Sequence, residues 1–130
     1  MYHTIIVVGN VGKDAEMRYT PSGAAITSFS VATNREYTAS SGEKVKETVW
    51  FRISAWGKQA EICNQYVKKR MMVLVEGRLN ADPQTGGPRL WGDPVRASFE
   101  VTAGTVRFLS RQEVEQTGGD MLPPEDDVPF

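Results

Sequence analysis

Apolar and polar residues alternate in long runs along this chain, and the runs end at residues that turn or stop a strand. His3 to Val11 (HTIIVVGNV) is apolar and β-branched and stops at a Gly-Asn pair, which predicts a buried first strand. Lys13 to Thr20 is mixed and reads as a short extended arm, closed by the turn Pro21-Ser22-Gly23. Ala24 to Arg35 alternates again, with Phe29 and Val31 on one face and Ser28, Ser30 and Ala32 on the other, so a long second strand is expected. Tyr37 falls just past it. Thr38 to Gly42 then reads as a hairpin loop, flanked by Tyr37, Lys44 and Lys46.

Glu47 to Lys58 (ETVWFRISAWGK) reads as a third strand with two unlike faces. Alternation puts Val49, Phe51, Ile53 and Ala55 on one side, and Trp50, Arg52, Ser54 and Trp56 on the other. The first set is a core face. The second carries two tryptophans and an arginine where a half-buried strand normally carries small polar groups. A flat indole beside a fixed guanidinium suits base stacking and phosphate binding, so this face reads as a platform for a single nucleic-acid strand. The other reading is a second hydrophobic layer, since aromatic side chains more often pack than meet a ligand. From this stretch alone both readings stand.

Gly57 ends the extended run, and Lys58 to Lys69 (KQAEICNQYVKK) changes to a helical period with Ile62, Cys63, Tyr66 and Val67 as its apolar stripe. Lys68, Lys69 and Arg70 sit at its predicted end, where the helix dipole favours cations. They serve either that dipole and solubility or a phosphate. Cys63, on the apolar stripe, reads as a core residue rather than a nucleophile. Met71 to Leu79 predicts a fourth strand. Asn80 to Val95 (NADPQTGGPRLWGDPV) is too rich in Pro and Gly to be regular throughout, and it carries Arg89 and Trp91. Connections longer than ~12 residues are usually functional or mobile. Arg96 to Leu109 is the last predicted strand. Phe99 and Val101 share one parity and Val106 and Phe108 the other, so a bulge is expected near Ala103-Gly104.

Five strands with one helix between the third and fourth is the order of an OB-fold, an all-β barrel. A β-sandwich would not need the helix, and an SH3-like barrel usually runs on shorter strands. The expected domain spans 1–109. Beyond it, 110–130 reads as a disordered acidic tail in which the hydrophobic pattern lapses. The tail ends in Asp126, Asp127, Val128, Pro129 and Phe130. A disordered segment has no structural use for that ending, whereas a partner with an apolar pocket and basic surroundings does.

Charge sharpens this picture. The net charge is −1, yet six of the sixteen acids lie from Glu113 onward, where no Lys or Arg occurs. The first 112 residues therefore set ten acids against fifteen bases, a body of about +5 that attracts a polyanion. One cysteine and one histidine (His3), no carboxylate cluster and no phosphate-binding glycine loop make an enzyme the least favoured class. No metal or cofactor is expected. The first predicted strand starts near Met1 and no apolar run reaches ~18 residues, so no signal peptide or membrane span is expected and the cytoplasm is the default location.

The chain closely resembles the bacterial single-stranded DNA-binding proteins. The resemblance rests on VGNVGKDAEMRYTPSG, FSVATNREY, ETVWFRISAWGKQAEI, VEGRL and the ending DDVPF, in that order. It covers residues 1–79 densely and the last strand loosely. It implies an OB-fold, a homotetramer or dimer, sequence-tolerant binding of single-stranded DNA at the nucleoid, and a C-terminal tip that recruits replication and repair enzymes. Stacking residues carried over are Tyr37, Trp50 and Trp56. Arg35, Arg52, Lys58, Lys68 and Lys69 are the cations expected to neutralise phosphates nearby. The family's fourth stacking aromatic has no counterpart, since Ala81-Asp82-Pro83 stands in its place. Trp91, later in the same connection, is the candidate to replace it, and Arg89 near it is a further expected nucleic-acid contact. An RNA-binding OB protein and a protein-binding OB subunit are the rival readings.

Overall fold

The computed structural model describes residues 1–110. Elements follow in the order β1 (Ile5–Val11), β2 (Glu16–Tyr19), β3 (Ala25–Thr38), β4 (Lys44–Trp56), α1 (Lys58–Tyr66), β5 (Met72–Leu79), β6 (Leu90–Trp91), β7 (Arg96–Ala97) and β8 (Phe99–Phe108). β1 pairs antiparallel with β5, β5 with β8, and β8 runs parallel to β4. β4 pairs with β3 along its whole length, and β3 returns to β1 at Asn10↔Ala32 and Val11↔Val31. The sheet therefore closes on itself through five long strands, with α1 between the third and fourth: an OB-fold barrel. β2 is added along β3.

Alternation makes this barrel possible. Phe29 and Val31 of β3, Ile53 of β4, Val73 and Val75 of β5 and Val101 of β8 all fall on the inner parity and are buried. α1 closes one end with Ala60, Cys63 and, just past its last turn, Val67. Thr27, the one buried polar side chain among the described residues, is satisfied there, because its hydroxyl donates to the Ala60 carbonyl at 2.6 Å. Gly57 turns the chain from β4 into α1 with φ 66°, a left-handed conformation that favours glycine. A Cβ at Gly77 would collide with the Thr102 carbonyl, so β5 and β8 touch backbone to backbone. Directly beside it Glu76 pairs with Thr105 and Gly77 with Ala103, which leaves Gly104 as the extra residue of a bulge. This is the bulge that the change of parity in the last strand requires.

Several expectations change in detail. The helix ends at Tyr66 rather than Lys69, so Lys68 to Arg70 form the turn into β5, where Arg70 adopts φ 76°. The buried helix face is Ala60, Cys63 and Val67, whereas Ile62 and Tyr66 are exposed. Positions 60, 63 and 67 recur at the helical period just as 62, 63, 66 and 67 do, and the apolar residues on the solvent side masked the difference. Tyr37 lies inside β3, because the hairpin continues to Thr38↔Lys44. The connection after β5 holds a two-stranded ribbon, Leu90↔Ala97 and Trp91↔Arg96, so Arg96 and Ala97 belong to it and not to the last strand. The tail from 111 onward, with its tip Asp126 to Phe130, lies outside the described residues.

Burial pushes the Cys63 thiol from 9.0 up to about 11. Below pH 9 the thiol is protonated in both folded and unfolded chains. Above it the unfolded chain releases a proton that the folded chain holds, so stability falls as pH rises from about 9 to 11, by at most ~1.4 kcal/mol per pH unit. Denaturant unfolding across this range should show that loss in the parent chain and a flatter profile in Cys63→Ala; identical profiles would contradict it.

Candidate nucleic-acid interface

The outward parity of β4 builds the site. Trp50, in the middle of β4, is 52% exposed and Trp56, its last residue, 47%, although each is a large ring on a barrel strand. Their cross-strand neighbours on β3 explain why they stand clear. Ala32 lies beside Trp50, Ser30 beside Arg52, Ser28 beside Ser54 and Ile26 beside Trp56. Three of these four are small and cover little of an indole. On the other side of β4, parallel pairing sets Glu100 beside Arg52 and Thr102 beside Ser54. β2 extends the same surface by setting Arg18 beside Ile26.

Two open clefts run along this face. One, of about 380 Å³, is lined by Ser30, Trp50, Arg52 and Phe99 among others. The second, of about 440 Å³, is lined by Arg18, Arg52, Trp56, Arg89, Trp91 and Glu100, with small serines between them. Arg52 and Ser98 line both, so the two clefts form one track. Each is within the ~300–1,000 Å³ range of ligand-sized clefts.

Trp91 is held in place by the β6–β7 ribbon. Its indole N–H donates to the Ser98 hydroxyl at 3.3 Å, and the Arg96 guanidinium lies 5.5 Å from its ring centroid. Arg96 does not line the cleft that Trp91 lines. A ring fixed at its edge and backed by a cation is ready to receive a flat ligand without further ordering.

Of the ten predicted contact residues, the structure brings Trp50, Arg52, Trp56, Arg89 and Trp91 together on this track. Arg35 and Tyr37 are elsewhere. By strand alternation they lie on the opposite face of the β3–β4 hairpin from Trp50, near its tip. There the Arg35 guanidinium stacks 4.6 Å from the Tyr37 ring centroid while its Nε pairs with Glu47 at 3.0 Å. Lys58 opens α1, immediately after Gly57. Lys68 and Lys69 sit in the turn before β5. That turn is tied to the segment after β1 by the Lys69 N–H, which donates to Asp14 at 2.8 Å, and by the Arg70 N–H, which donates to the Val11 carbonyl at 2.8 Å.

Arg18 and Glu100 line the track without having been singled out in the sequence. Arg18 sits in a mixed four-residue strand whose parity no hydrophobic pattern fixes. Glu100 lies between Phe99 and Val101, where alternation alone would have placed it outward. Arg18, Arg52 and Arg89 make no ion pair among the described residues, whose only ion pairs are Arg35–Glu47 and Lys46–Glu36. Nor do the described residues hold a group of His, Cys, Asp and Glu suited to a metal. The arrangement offers flat rings and free cations on an open surface.

Residues 2–109 match the model of the Single-strand binding protein family. The chain belongs to this family. It is 36% identical over 118 residues to the single-stranded DNA-binding protein of Wolinella succinogenes, covering 91% of this chain and 70% of that one. It is 34% identical over 115 residues to the protein of the same name from Neisseria meningitidis serogroup A, covering 88% and 63%. The chain is therefore shorter than either relative. Its fold matches that of the Plasmodium falciparum SSB solved in complex with single-stranded DNA, with a TM-score of 0.69 at 22% identity over 85% of this chain and 96% of that one.

Gly12 supports the Trp50 ring from behind. A Cβ there would lie 2.7 Å from Cζ3 and 2.9 Å from Cη2 of Trp50. Gly12 is not among the positive-φ glycines, so its backbone accepts alanine and only the ring must move. In a chain whose Trp56 and Trp91 are replaced by Phe, Gly12→Ala should shift Trp50 emission with little loss of stability, because the far end of a half-exposed ring can move aside. Unchanged emission would show that the ring does not rest on Gly12.

Proposed function

We propose that this chain coats single-stranded DNA, stacking bases on Trp50, Trp56 and Trp91 and neutralising phosphates with Arg18, Arg52 and Arg89. The observation that carries this reading is the outward face of β4. Two half-exposed tryptophans and an arginine without an ion pair among the described residues line a continuous open track there, instead of packing under a second layer. Stacking contributes ~1–3 kcal/mol per base and is largely indifferent to sequence, because every base has a π-face. The cations add a salt-dependent term. Tyr37 and Arg35, near the hairpin tip, extend the path round the edge of the barrel, and Lys58, Lys68 and Lys69 add positive charge along it. The names of the relatives support DNA as the ligand.

The wider role follows from that reading. Residues 1–109 form the DNA-binding domain, and 110–130 a tail whose tip, Asp126 to Phe130, docks replication and repair proteins. The protein acts in the cytoplasm at the nucleoid, protecting strands exposed in replication, recombination and repair. Its working form is a homo-oligomer, with four chains as the expected number. The outer face of β1 supports assembly, since Ile6 is 62% and Val8 44% exposed, and the exposed Met72 of β5, which pairs with Asn10, lies on the same parity.

Three experiments test these statements. Anisotropy of labelled oligonucleotides should show Trp50→Ala and Trp56→Ala each weakening single-stranded DNA binding by about 5- to 150-fold, with the thermal midpoint nearly unchanged. Removal of residues 125–130 should spare that affinity at moderate salt and abolish capture of a partner. Collapse of the fold in Trp50→Ala would mean that the ring is core, and tighter binding of the equivalent RNA would reassign the ligand. For assembly, sedimentation of the full chain should give an oligomer that Ile6→Glu dissociates; a parent chain that sediments as a monomer would contradict it.

A further inference from the structure

Glu100 is out of place in a groove for a polyanion. Its backbone lies beside Arg52 in the parallel β4–β8 pairing, its side chain is half-buried, and it lines the same cleft as Trp56, Trp91, Arg18, Arg52 and Arg89. Three arginines face this cleft, yet Glu100 forms no ion pair with any of them among the described residues. A carboxylate repels phosphates and accepts hydrogen bonds without donating any. In a cleft that also carries two aromatic platforms, its complement is the donor edge of a stacked base.

We infer that Glu100 makes the Trp56–Trp91 cleft a base-reading subsite that favours guanine. This rests on the proposal that the track binds single-stranded DNA, and it adds a preference at one position of an otherwise sequence-tolerant path. Guanine offers two adjacent donors on its Watson–Crick edge, N1–H and the N2 amino group, which match the two oxygens of a carboxylate. Adenine and cytosine each offer one amino donor beside a ring nitrogen that accepts. Thymine offers one N–H flanked by two carbonyl oxygens, which face the carboxylate unfavourably. Unstacked bases of single strands are read in this way, by a flat group beneath and hydrogen bonds along the edge. Arg18, Arg52 and Arg89 then take the phosphates on either side.

A well-made bidentate contact discriminates by about 5- to 150-fold, and a half-buried carboxylate in an open cleft should lie near the lower limit, about 5- to 10-fold. The test uses the full chain and labelled oligonucleotides of about eight thymidines, within the ~4–16-nucleotide span of one OB domain. One central thymidine is replaced by guanosine, inosine, adenosine or cytidine. The guanine oligonucleotide should bind about 5- to 10-fold more tightly than the all-thymine one, and inosine, which lacks the N2 amino group, should lose most of that gain. Glu100→Gln keeps the shape of the side chain. It should remove the guanine preference and strengthen binding of the all-thymine strand.

Tight but equal binding of guanine and thymine by the parent chain would overturn the subsite and leave the DNA-binding reading standing, with Glu100 merely balancing Arg52. A guanine preference that persists in Glu100→Gln would assign it to purine stacking and equally overturn the subsite. No binding of any strand would overturn the underlying reading and the subsite with it.

Discussion

The pairing of β3 with β4, unbroken from Ile26↔Trp56 to Thr38↔Lys44, is the constraint on which the rest of this structure depends. Side chains in a strand alternate strictly, so once Ile53 and Ala55 are committed to the core, Trp50, Arg52 and Trp56 are committed to the outside. A slip of one residue would bury the two indoles and the guanidinium and expose the core. The register is held from the inside by Thr27, Phe29 and Val31, all buried, and at one end by Gly57, whose N–H donates to the Ala25 carbonyl at 3.0 Å. Fold and binding face are two sides of one pairing.

Around that strand pair, the remaining elements convert a flat face into a track. β8 runs parallel to β4 and contributes Glu100, with Ser98 just before it, while β2 extends the surface with Arg18. The β6–β7 ribbon brings Trp91 and Arg89 to the second cleft. Trp91, late in the connection after β5, is thereby set opposite the outward face of β4 as part of the lining of that cleft. Small residues matter as much as large ones. Ala32, Ser30 and Ser28 leave the outer face uncovered, and Gly12 leaves room for the Trp50 ring.

Much of this was legible because period-2 alternation is strong in the long strands. The two faces of the central strand, the turn at Pro21 to Gly23, the stop at Gly57 and the bulge at Gly104 each follow from local pattern and glycine chemistry. What the pattern could not reach depends on tertiary register. Arg18 sits in a strand too short and mixed to show a parity. Tyr37 and Arg35 belong to the opposite parity from Trp50, a relation visible only once the hairpin is known to run without a break to its tip. Of the helix stripe only Cys63 and Val67 are buried, because Ile62 and Tyr66 are apolar and yet exposed, with Tyr66 lying 6.0 Å from Phe108, centroid to centroid. The β6–β7 ribbon is only two residues per strand, below the length at which alternation carries information.

The most direct test of the stacking platform is the intrinsic tryptophan emission of the full chain, titrated with a deoxythymidine homopolymer and with a duplex at low and moderate salt. All three tryptophans lie on the proposed track, so their emission reports on it alone. Strong quenching by the single strand that persists at moderate salt, with little response to duplex, is the predicted result. Binding of the single strand without quenching would contradict the account, because the bases would then be held by charge alone and the rings of β4 would have some other purpose.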